Sequence, residues 1–251
     1  MTDGGSRRNE RYDYIDYAKA VAIFLIGIGH FLPNGSFARV ALYSFHVPVF
    51  FFIAGYLYRY EPKTNLRMWF RSKVRRILVP YLLLFSLSLS VVFLQNGARG
   101  VLKAVTENLF FIRGSMLWNS ALWFLPVYFL CVVSFQLFNM AVKGRVAATA
   151  ILGIACIIST VLIDKNDLYA FRIFGINKCL CMLPFICLGY VVRQYRLIDA
   201  VIGTRAQNSR AAFMGALFLG LLLSAGAINN GDNISILGND YNNVLLFFPF
   251  A

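Results

Sequence analysis

The sequence predicts an all-α fold, a polytopic bundle of membrane-spanning helices. Three observations predict it: an apolar composition, apolar segments of about 20 residues recurring along the chain, and an uneven distribution of Lys and Arg between successive connections. Of the 251 residues, 59% are apolar and 14% charged, against about 45–50% and about 25% in water-soluble domains. This balance argues against a soluble enzyme and for lipid as the solvent. The net charge of +13 calls for acidic partners. In so apolar a chain, anionic lipid headgroups or an anionic substrate fit better than nucleic acid.

A bilayer core of about 30 Å requires about 20 mostly apolar residues per helix. Seven complete segments satisfy this, at 14–32, 40–58, 77–95, 121–141, 146–163, 177–193 and 211–228, and an eighth begins at Val244 and reaches Ala251. Residues 1–13 read as a polar cytoplasmic tail and 14–251 as one membrane-embedded domain. The chain reads as truncated, because a span ending inside hydrocarbon leaves backbone groups without partners. The first segment is not a signal peptide: no small-residue cleavage site follows His30-Phe31-Leu32-Pro33.

Orientation follows from the cations, which concentrate in cytoplasmic connections. Sixteen of the 24 Lys and Arg residues fall in the amino-terminal tail and connections 2/3, 4/5 and 6/7; seven fall on the other side, and Lys19 lies inside the first segment. The expectation is a multi-pass protein of the inner (plasma) membrane with a cytoplasmic amino terminus. The five cysteines all lie in apolar runs, which fits buried free thiols better than a disulfide framework. Cys179-x-Cys181 lacks zinc-ligand spacing, so no metal site is expected.

Ionisable side chains inside spans are expensive and mark function by default. Asp16 and Lys19 sit one turn apart in the first segment, where they can pair. His30 follows Lys19 by eleven residues, close to three turns and about 16 Å along the axis, so the two share a face. His46 lies at similar depth in the second segment, and these are the two histidines of the chain. An imidazole titrating near pH 6.5 suits a general base. Either His46 joins His30 in one site, or it serves as a hydrogen-bonding link between helices. Connection 2/3 carries seven cations. Some of them hold anionic lipid beside Trp69 and Phe70, while Lys73 and Arg76, three apart ahead of a span, can clamp phosphates.

Lys19-x10-His30, the run Ser44-Phe45-His46-Val47-Pro48 through Gly55-Tyr56, and Arg75-Arg76-Ile77-Leu78-Val79-Pro80-Tyr81 occur in order with Leu122-Trp123-Phe124-Leu125 and Leu183-Pro184-Phe185-x3-Gly189-Tyr190-x2-Arg193. Together they resemble the acyltransferase 3 family of integral membrane O-acyltransferases, and within it the fucose 4-O-acetylase-like branch. The resemblance covers roughly residues 11–195. It implies a bundle of about ten helices that moves an acyl group, usually acetyl, from cytoplasmic acyl-CoA to a hydroxyl of a surface polysaccharide or lipid-linked glycan. Acyl-CoA is then a co-substrate rather than a permanently bound cofactor.

By the same resemblance, His30 is the catalytic base, Lys19 stands where many members have arginine, and His46 matches the Phe-His-x-Pro of the branch. Lys73 and Arg76, with Arg71 and Arg75 beside them, hold the CoA phosphates. Asp16 completes the catalytic set through Lys19, and an acyl-enzyme on Ser44 is a weaker option. Two other classes compete. A secondary transporter of an anionic solute also uses intramembrane His, Asp and Lys, but calls for internal repeats and matched broken spans, and neither is visible. A non-catalytic scaffold has no need of two intramembrane histidines.

Overall fold

The computed structural model describes residues 13–33, 36–112, 120–166, 168, 173–196 and 248. Among them no strand occurs, and the elements are helices α1 (Asp13–Phe31), α2 (Phe37–Leu57), α3 (Leu66–Lys73), α4 (Val79–Val105), α5 (Phe124–Ala141), α6 (Val146–Lys165) and α7 (Ile176–Gln194). Six of these seven match the first six expected segments. The expected segments at 211–228 and from Val244 lie outside the described residues, apart from Phe248.

Among the described residues, four helical segments are long and apolar enough to cross a membrane: Leu66–Phe110, Ala121–Ala141, Val146–Lys165 and Ile173–Gln194, with His46–Leu57 a shorter apolar stretch. The expected count of seven spans plus the start of an eighth is therefore not supported. α1 and α2, at 19 and 21 residues, occupy the positions of the first two expected spans but are not among the four. The third segment also differs from expectation. Instead of a basic connection followed by a span, Leu66–Phe110 is one helical stretch of 45 residues. Val74–Leu78 forms a π-helical turn that joins α3 to α4, and Thr106–Phe110 forms a second one after α4. The break comes late, at Gly97 (φ 63°, ψ −165°), a conformation open to a residue without Cβ.

α7 is the axis of the bundle, with a nearly unbroken buried stretch from Asn177 to Cys187. Lipid supplies no hydrophobic drive for helices to associate, so close backbone approach over small residues has to hold them together. Gly55 of α2 and Gly189 of α7 provide that approach. A Cβ at Gly55 would overlap the Ile186 carbonyl, and one at Gly189 would overlap the Phe52 carbonyl. Phe51 and Tyr58 meet Tyr128 and Phe135 of α5, and Cys131 and Phe135 of α5 meet Cys179 and Tyr190 of α7, so α2 and α7 run parallel. Gly153 brings α6 onto α7 in the same way, its ideal Cβ 3.2 Å from that of Cys187. Cys131 Sγ of α5 lies 3.3 Å from Cys179 Sγ of α7, and the five thiols are free and buried, as expected.

The outward faces are strongly apolar. Leu83 and Leu94 of α4 are 68% and 83% exposed, and Ile151, Ile154 and Ile158 of α6 are exposed as well. The buried face of α7 meanwhile includes asparagine, lysine, cysteine and glycine. Apolar outside and small or polar inside is the arrangement lipid selects.

Candidate functional site

The histidines meet through a tyrosine. His30 lies in the last turn of α1, and its Nδ1 shares a hydrogen bond of 3.3 Å with the Tyr43 hydroxyl of α2. The two helices approach closely here because Gly29 leaves room for the Tyr43 ring, 2.9 Å from where a Cβ would stand. The Tyr43 ring also meets His46 edge-on at 4.8 Å, against 6.1 Å for His30. Arg39 caps the group: its guanidinium lies 4.8 Å over the Tyr43 ring and donates from Nη1 to the Leu32 carbonyl at 2.7 Å, tying the start of α2 to the end of α1.

The two imidazoles differ in surroundings. His46 is buried, and its Nδ1 lies 2.7 Å from the Leu42 carbonyl. A carbonyl oxygen carries no proton, so Nδ1–H must donate, and the lone pair of the neutral ring is on Nε2. His30 is exposed and has the polar edge available to a reactant. Sequence reasoning found both histidines and missed Tyr43 and Arg39. The spacing Arg39-x3-Tyr43-x2-His46 places all three on one helical face at i, i+4 and i+7, a signal available in the sequence.

Lys19 and Asp16 do not join this group. They pair with each other, Nζ to Oδ1 at 3.6 Å with both side chains partly exposed, near the opposite end of α1. The structure thus separates the expected catalytic set into a histidine pair and an ion pair about 16 Å away along the helix.

The basic residues lie at the other end of α2. α3 starts on the Asn65 cap, whose side chain accepts from the Met68 N–H at 3.1 Å, and carries Arg71 and Lys73 in its last turn. Lys73 Nζ stands 5.5 Å over the Trp69 ring, and Phe70 packs edge-on against Phe129 of α5 at 5.7 Å. Arg75 and Arg76 fall in the π-helical turn and are exposed with Arg71, while Lys73 is half-buried. The π turn begins directly after Lys73 and contains Arg76. Such turns recur at functional sites. Among the described residues no group of three metal-ligating side chains occurs.

Two cations counted with the connections belong to the bundle. Arg193 donates from Nη1 to the Tyr56 carbonyl at 2.8 Å, and Lys178 is buried at 1% exposure.

A family model of the acyltransferase domain, acyltransferase 3, matches residues 12–251. The chain belongs to the acyltransferase 3 family. No curated protein and no solved structure matches it. The protein is therefore a membrane acyltransferase. The family match covers the positions of α1 to α7 and continues beyond them.

Proposed function

We propose that this acyltransferase moves an acetyl group from acetyl-CoA to a sugar hydroxyl of a surface polysaccharide or lipid-linked glycan, with His30 as general base. The observation that supports this reading most is the Tyr43-bridged histidine pair at one end of α1 and α2, opposite a cluster of cations at the other end of α2. When Nδ1–H of His30 donates to the Tyr43 oxygen, Nε2 carries the lone pair. It takes the proton of the acceptor hydroxyl as that oxygen attacks the thioester carbonyl. The tetrahedral intermediate collapses, the C–S bond breaks, and the imidazolium returns the proton to the departing CoA thiolate. His46 and Arg39 are positioning residues that fix Tyr43 against His30.

Arg71, Lys73, Arg75 and Arg76 hold the CoA phosphates, for which flexible ammonium and forked guanidinium donors are suited. Lys19, neutralised by Asp16, orients the CoA arm between the two ends. The amino terminus lies in the cytoplasm and the protein in the inner membrane, with α1 and α2 joining the four long apolar segments as spans. In membranes carrying the protein, radiolabelled acetyl-CoA should place label in alkali-labile ester on envelope glycan. Label that stays on CoA, with solute uptake into the same vesicles, would instead support the transporter reading.

A further inference from the structure

α7 begins with a feature that helix packing does not explain. Lys178, inside the core, donates from Nζ to the Ile112 carbonyl at 2.7 Å, and Asn177 beside it is 93% buried, since 7% is exposed. Asn177 Oδ1 is a buried acceptor with no hydrogen-bond partner among the described residues. A cation in the first turn of a helix opposes the macrodipole, a buried charge in a membrane helix is costly, and an orphaned acceptor adds its own desolvation cost. The backbone around the pair is strained too. Ile112 and Phe174 hold φ of 50° and 53°, left-handed values that are uncommon for any residue with a Cβ and least favourable for a β-branched one. Unfavourable features gathered at one place point to a site rather than to packing.

The pair also shares a depth in the bundle with the second histidine. α2 and α7 are parallel, in contact at Gly55 with Ile186 and at Gly189 with Phe52. Counting back from these contacts at 1.5 Å per residue puts Lys178 within about 8 Å of the depth of His46. Val47, next to His46, and Ile112 belong to the same buried cluster. A lone strut to the Ile112 carbonyl would account for Lys178, but it leaves the Asn177 oxygen unexplained. What that oxygen lacks is a donor, and a hydroxyl supplies one.

We propose that Asn177 and Lys178, at the start of α7, form a polar niche that binds the hydroxyl-bearing acyl acceptor at the membrane depth of His46. The inference rests on the acyl-transfer reading above and adds the groups that recognise the acceptor: Asn177 Oδ1 accepts from one of its hydroxyls, and Lys178 supplies the donor wall. A site built to hydrogen-bond a hydroxyl discriminates strongly when the bond is lost.

The test is Asn177→Leu, a near-isosteric change that removes the orphaned oxygen. The full chain in membranes receives radiolabelled acetyl-CoA and graded amounts of alkali-deacetylated envelope glycan. Expected are an apparent KM for glycan raised at least about tenfold, an unchanged KM for acetyl-CoA, and a melting temperature unchanged or higher. Asn177→Asp, which keeps an acceptor oxygen, should recover most of the glycan affinity. An unchanged glycan KM in Asn177→Leu overturns the niche while leaving acyl transfer standing. Loss of folding in Asn177→Leu also overturns it, because the oxygen would then be held by the protein itself. Wild-type protein that transfers no label defeats the functional reading, and this inference with it.

Discussion

The two ends of α2 are built on opposite plans. At one end His30, Tyr43, His46 and Arg39 interlock through a 3.3 Å hydrogen bond, an edge-on ring contact at 4.8 Å and a guanidinium over the ring. At the other, Arg71, Arg75 and Arg76 stand exposed on a helix with no buried residue in α3. The interlocked end fixes atoms in place and suits a step in which a proton moves over one hydrogen bond. The open end suits capture of a flexible polyanion, where charge counts for more than exact geometry. A single helix of 21 residues, about 31 Å long, separates the two ends, which in the proposed reaction parts donor binding from acceptor chemistry.

That comparison breaks most readily at His30. His30→Ala should lower transfer about a thousandfold, within the range for loss of a general base, with the protein still inserted in the membrane. Charge reversal at the open end, Lys73→Glu with Arg76→Glu, should raise the KM for acetyl-CoA about tenfold or more at low salt, with kcat little changed. The effect should shrink as ionic strength rises, and a fall in kcat at constant KM would assign these cations to the chemical step. Tyr43→Phe keeps the ring contacts and removes the hydrogen bond. It should cost about 1 kcal/mol, a fall of about fivefold in kcat with no change in the KM for acetyl-CoA. Gly55→Ala sharpens the comparison from the structural side. Overlap with the Ile186 carbonyl should destabilise the bundle by about 3 kcal/mol, lowering the melting temperature and impairing both ends together.

Much of this was legible in the sequence. Long apolar segments gave the positions of α1, α2, α4, α5, α6 and α7, because each must bury or expose a whole helix length to lipid. His30 and His46 stood out as costly residues inside such segments, and their shared depth left open whether His46 joins His30 in one site or only links the helices. Other features depend on non-local contacts. The π-helical turn at Val74–Leu78 sits beside the packing of Phe70 on Phe129, 59 residues away in the sequence, and local propensity does not register that partner. Lys178 stands at the start of the expected segment 177–193, where its charge suits a connection. It lies inside the core because the Ile112 carbonyl, 66 residues earlier, is there to receive it. Lys19 and Asp16 share a face with His30 as expected, yet three helical turns keep their ion pair out of the histidine cluster.

The central claim is that His30 acts on the transfer step and not on donor binding. Measuring both acetyl-CoA affinity and label transfer to envelope glycan in His30→Ala, in the same membranes, tests this directly. The account predicts wild-type affinity for acetyl-CoA with transfer reduced about a thousandfold; transfer at the wild-type rate would contradict it.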